Sequence, residues 1–179
     1  MRKDILIVGF VALLIAVLFS GTKIQTVEEY YQTHIDDITE DSDTIFITIE
    51  AQTLLNNKEN LDPELNDDKY VPEDGMILEK SEYVLRKNDT VFDVLKRATR
   101  HNKIHLDFQG ASESSFKSAY IKGINHLYEF SCGNLSGWMY EVNGKYPEYG
   151  VSRYELDDGD DIAFRYTCDL GRDLDREIN

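Results

Sequence analysis

Ile5 to Phe19 is a run of fifteen residues without a charge or a strongly polar side chain, and Arg2 and Lys3 stand immediately before it. Such a run either spans a membrane or serves as a secretory signal. Both readings carry the following residues outward, because the positive residues stay inside. Extended through Ser20, Gly21 and Thr22 it makes about 27 Å of helix at ~1.5 Å per residue, short of ~30 Å but workable. Cleavage needs small residues two apart, yet Leu18 precedes Ser20 and Phe19 precedes Gly21 at that spacing. An uncleaved anchor is therefore the expectation, with a secreted form as the alternative. No cysteine follows the run to take a lipid. The expected layout is a membrane segment at 1–22, an acidic stalk at 23–42 and a domain at 43–179. Residues 5–22 would hold a single-pass protein in the cell membrane with its C-terminal domain outside.

Charge is uneven along the 179 residues. The net of −15 divides into +1 for residues 1–22, −12 for 23–75 and −4 for 76–179. This balance excludes a nucleic-acid binder that works by neutralising phosphates, which needs a basic face. In residues 23–43 isolated apolar residues sit in an acidic background without a sustained period, which reads as a solvated spacer. Its acids lack the fixed offsets of a calcium loop.

The domain alternates between strand and helix signals. Residues 43–50 are rich in β-branched side chains and read as a first strand. A polar connection with Pro63, Asp67, Asp68, Pro72, Asp74 and Gly75 follows, and Met76 to Leu85 alternates as a second strand. Thr90 is a plausible N-cap with Asp93 as its capping-box partner. Val91, Phe92, Val94, Leu95 and Ala98 then lie on one face of a helix over 91–101. Short strands are expected at 104–108, 119–124 and 162–167. A hairpin is expected over 137–147 around the Asn143-Gly144 turn, which tolerates the positive φ of a type I′ turn. The order predicts an α+β fold with one mixed sheet and one packed helix, and a β-grasp arrangement specifically.

Gly137-Trp138-Met139-Tyr140, Val142-Asn143-Gly144, Tyr149-Gly150-Val151, residues 156–160 and residues 166–171 together resemble the transcobalamin-like C-terminal domain family. Residues 90–95 and the first strand fit as well, so the resemblance covers about residues 43–175. It implies a β-grasp-like domain of an exported bacterial protein, in a family largely of unknown function. The family takes its name from the small C-terminal domain of the vertebrate cobalamin carriers. Those carriers enclose a corrinoid between that domain and a large α-helical one, a half that the residues read here do not supply. The resemblance implies no covalently bound cofactor and makes a cobalamin-like ligand the first small-molecule candidate.

Candidate chemistry is sparse. Cys132 and Cys168 flank the Trp138 hairpin in the exported part, where an even count favours a disulfide. Two other readings remain, a nucleophilic Cys132 with His126 as base, and a pair of reduced thiols. His101 and His105 have i,i+4 spacing, but the helix is expected to end near Asn102, so the pair should diverge and no metal site is expected. Asp157, Asp158, Asp160 and Asp161 surround Gly159 as a turn without the twelfth-position Glu of a calcium loop. No phosphate loop, nucleophile elbow or catalytic carboxylate pair stands out, so no catalytic residue and no enzyme is expected.

The aromatic set is the remaining signal. Trp138, Tyr140, Tyr146, Tyr149 and Tyr154 crowd seventeen residues, and alternation puts Trp138, Tyr140 and Val142 on one face. That face is either core or a surface for a ligand or partner, since Tyr and Trp combine apolar area with a polar handle. Two functions follow. One is a membrane-anchored extracellular binding module using Trp138, Tyr140, Tyr146 and Tyr149 on a corrinoid or other planar ligand. The other is a cell-surface protein-interaction module without a small ligand.

Overall fold

The computed structural model describes residues 37–115 and 117–174. The expected anchor at 1–22 and most of the stalk lie outside the described residues. Among the described residues no helix is long and apolar enough to cross a membrane.

Strand β1, Thr44–Glu50, turns Ile45, Ile47 and Ile49 inward with no exposed surface, as its period-two pattern requires. After short 3-10 turns in the 52–65 connection, β2, Met76–Val84, pairs antiparallel with β1. A register shift between Ile47 and Ile49 lets Ile49 oppose Leu78. Helix α1, Val91–His101, starts where the capping signal places it. Thr90 accepts from the Asp93 N–H at 3.3 Å, and Asp93 accepts from the Thr90 N–H at 3.1 Å. Its buried side, Val91, Val94, Leu95 and Ala98, joins β1 in the main core.

Five strands follow: β3, Leu106–Gln109; β4, Tyr120–Ile124; β5, Leu127–Tyr128; β6, Gly137–Val142; and β7, Asp161–Thr167. They divide between a four-stranded sheet of order β2-β1-β7-β6 and a three-stranded sheet of order β3-β4-β5. In the larger sheet β1 and β7 run parallel and the other pairs antiparallel. The single mixed sheet is thus corrected to two. Period-two patterning marks strands but not their partners. Here Asn125 and His126, at φ 51° and 65°, close β4 and β5 into a tight hairpin of their own.

The hairpin at 137–147 is also revised. Asn143 and Gly144 take the expected positive φ of 53° and 76°, but only one bridge, Val142 to Lys145, forms beyond the turn. Two residues further along each arm, Tyr140 would oppose Pro147, which has no N–H to donate. The ladder of β6 runs along β7 instead. A second core, Ala51, Leu54, Leu61, Val71, Leu127, Cys132 and Tyr166, seats the 51–75 connection.

Candidate functional site

Trp138 and Tyr140 lie on the core side of β6, in register with Tyr166 and Phe164 of β7. The Trp138 indole packs edge-on to Tyr166, with ring centroids 5.3 Å apart, and its Nε1 donates to the Leu127 carbonyl at 2.7 Å. Tyr140 stacks on Phe164 and donates its hydroxyl to the Tyr149 carbonyl at 2.5 Å. Burial, reinforced by Tyr154, pushes the Tyr140 phenol up to about 12. Both rings therefore engage their polar atoms within the protein.

The other two predicted residues stand elsewhere. Tyr146 accepts from Arg165 at 3.4 Å, and Arg165 also bonds Glu50 and lies 3.7 Å from Glu141. Glu141 and Arg165 lie on the sheet side opposite Trp138 and Tyr140, by strand alternation. Burial raises the Tyr146 phenol. Tyr149 is 60% exposed. The neighbouring Gly150 is held where a Cβ would meet the Ser118 Oγ at 2.2 Å, so the turn is pinned by a close approach that glycine permits. The four aromatic residues are thus not gathered on one surface.

What the structure does gather is a loop end beside the two cysteines. Cys132 is buried and Cys168 half-buried, both as thiols, with sulfurs 3.0 Å apart. Burial raises both thiols above their ordinary range. The loop before β6 is organised by Ser136, whose Oγ accepts from the Cys132 N–H at 3.0 Å and the Tyr166 hydroxyl at 3.1 Å. The turn after β7 is organised by Asp173, which accepts from the Thr167 hydroxyl and, at 2.7 Å, from the Cys168 N–H. The Leu170 N–H donates to the Leu135 carbonyl at 2.9 Å, and the Phe130 N–H to the Ser136 carbonyl at 3.1 Å. The first of these two bonds ties the two loops to each other, and the second closes the loop before β6 on itself.

Three large apolar side chains are displayed there: Phe130, Leu135 and Leu170, at 61%, 42% and 56% exposure. Phe130 and Leu170 hold φ of 69° and 51°, a left-handed conformation uncommon for such residues. Sequence reasoning missed them. The available signal was an apolar residue inside a turn-rich loop, with neither strand nor helix to bury it.

The histidines divide differently from expectation. His101 is exposed at the end of α1. His105 stacks on His126 at 4.1 Å, and His126 meets Tyr70 edge-on. The His105 Nδ1 is buried without a hydrogen-bond partner. Burial, then His105 and Lys69, hold His126 below the usual histidine range. His126 thus lies against His105 and Tyr70, whereas Cys132 contacts Cys168 and Asn57. In the acidic turn, Asp158 accepts from the Thr44 N–H at 2.7 Å and Asp160 from the Asp157 N–H at 2.9 Å. Among the described residues no group of three or more His, Cys, Asp or Glu side chains is placed to hold a metal.

Residues 88–168, from the start of α1 through the end of β7, match the model of a domain of unknown function, DUF4430. No curated protein matches the sequence. Among solved structures, haptocorrin in complex with Cbi is similar over 74% of this chain and 26% of its own, at 12% identity and a TM-score of 0.47. The chain thus spans about a quarter of that protein's length. A candidate metal-binding protein from Ruminococcus gnavus is similar over 69% of this chain and 95% of its own, at 10% identity and a TM-score of 0.42.

Proposed function

We propose that the chain is an exported, membrane-tethered binding module without catalytic activity, and that its loop end receives a planar, apolar, cofactor-like ligand, a corrinoid first among the candidates. The observation that carries this reading is the display of Phe130, Leu135 and Leu170 on two loops tied to each other. Large apolar side chains held in the open by a fixed backbone present contact area with little entropy left to lose on association. Trp138 serves behind this surface as part of its scaffold, through Leu127 and Tyr166.

The apolar run at 5–19 supports the tether. A β-grasp assignment is supported by the order β2-β1-β7-β6, with a parallel central pair and α1 on one face. The resemblance of residues 43–175 to the transcobalamin-like C-terminal domains supports the ligand class. Two thiols kept protonated by burial, with His126 engaged elsewhere, favour binding over nucleophilic chemistry. After export the thiols would exchange with the disulfide of a dithiol oxidase. Cys132 and Cys168 would then become bonded, and the oxidant would take up two electrons and two protons.

The test is titration of the full chain, held in zwitterionic nanodiscs, with cobalamin and with haem. Trp138, the single tryptophan, reports by its fluorescence. Saturable quenching by cobalamin is expected, and the absence of saturable quenching by either compound overturns the ligand. A protein partner is the second reading, favoured by the high exposure of the same three side chains, since small-molecule sites enclose most of their ligand. Vitamin-transporter genes beside this one favour the first reading, adhesion or pilus genes the second.

A further inference from the structure

We infer that the loop end selects its ligand by charge, accepting planar apolar molecules with a cationic periphery and rejecting those that bear carboxylates or sulfonates. The inference rests on the ligand reading above and adds the chemical class that the surface admits. Its basis is the set of charged groups around Phe130, Leu135 and Leu170. Glu129 immediately precedes Phe130, and Asp169 immediately precedes Leu170. Asp173 is anchored to the Cys168 N–H, and both Asp173 and Glu59 lie close enough to Cys132 to act on its thiol. Asp62 is tied through its N–H to the Ser131 carbonyl at 2.9 Å.

Three cations stand among these five carboxylates. Arg172 is bonded to Asp169 at 3.0 Å, and Lys58 adjoins the Asn57 carbonyl that the Cys132 thiol approaches at 3.6 Å. Lys122 accepts from the Glu129 N–H through its carbonyl at 3.0 Å, which leaves a net negative balance. The apolar centre is therefore ringed by net negative charge. A ligand that lays a flat apolar face on Phe130 and Leu170 brings its edge substituents into that ring. Within about a Debye length, ~8 Å at physiological salt, the ring's field acts on them. Positive edges are drawn in, and anionic edges meet repulsion that the apolar contact must overcome.

Two porphyrins of the same shape and opposite charge test this. The full chain in phosphatidylcholine nanodiscs is titrated with tetracationic meso-tetrakis(N-methylpyridinium-4-yl)porphyrin and with tetraanionic meso-tetrakis(4-sulfonatophenyl)porphyrin, following Trp138. The cationic probe is expected to bind at least about tenfold tighter at physiological salt. Phe130→Ser and Leu170→Asn, both at exposed positions, are each expected to weaken it about fivefold. Glu59→Gln combined with Asp169→Asn should narrow the ratio between the probes. If neither porphyrin saturates while cobalamin does, charge selection is overturned and the ligand reading stands. If cobalamin and haem fail as well, the ligand reading itself falls. If both saturate equally, or the anionic one more tightly, charge selection is overturned while the ligand reading stands. If Phe130→Ser and Leu170→Asn leave the cationic probe's binding unchanged, it reads only the general acidity of the chain, and the inference is overturned.

Discussion

Trp138 illustrates how far a single residue can be read from its neighbours. Alternation places it with Tyr140 and Val142 on one face of β6, and the structure agrees. Whether that face meets solvent or core depends on Leu127 and Tyr166, eleven and twenty-eight positions away, which no local pattern reveals. The same limit hid the pairing of His105 with His126, made by a turn between two short strands. That pair gives a pH prediction. His126 sits below its ordinary value near 6.5, so the unfolded chain binds its proton more readily. The stability it contributes is present in full above about pH 6.5 and is lost as pH falls through the lowered folded value. The melting temperature should therefore drop between pH 7 and pH 5. His126→Asn, which suits the positive φ, should flatten that part of the profile. An unchanged slope in the variant would assign the acid sensitivity to other groups.

At the scale of elements, α1 was legible almost to the residue, because Thr90 and Asp93 act locally and the apolar spacing is regular over three turns. β1, β2 and β7 were nearly as clear. What escaped was partnership: Pro147 ended a hairpin, and β3 to β5 formed a separate sheet. The 51–75 connection escaped too, since its 3-10 turns have no long period and its core contacts lie far along the chain. One bond joining two elements was likewise unreadable. Asp89, only 7% exposed, pairs with Arg97 of α1 at 2.7 Å, and Arg97 also donates to the Val84 carbonyl at the end of β2. Removing one partner of such a pair strands the other in a poorly solvated site. Asp89→Ala should cost about 3 kcal/mol in urea unfolding. Adding Arg97→Ala should recover part of that loss. Strictly additive single and double variants would show that the two groups are uncoupled.

For the molecule as a whole, the two cysteines decide how firmly the ends of the site are joined. A bond between Cys132 and Cys168 would close a 37-residue loop. On the chain-entropy estimate this is worth about 4 kcal/mol, or about 8–20 °C in melting temperature. Exported protein should therefore be two hydrogen masses lighter than its reduced form, and reductant should lower its melting point by that amount. Intact mass spectrometry finding two free thiols would refute the bond. The parallel pairing of β1 with β7 carries a different consequence. Phe46 meets Asp161, and Glu50 meets Arg165, across 115 residues of chain. A ribosome makes β1 early and β7 late, so the centre of the larger sheet stays without its partner through most of synthesis. β2 can cover one edge of β1 by residue 84, but the other edge, and Ile45, Ile47 and Ile49 with it, waits for β7, so the larger sheet is completed late. A nascent chain arrested before residue 161 would be the form most in need of a chaperone.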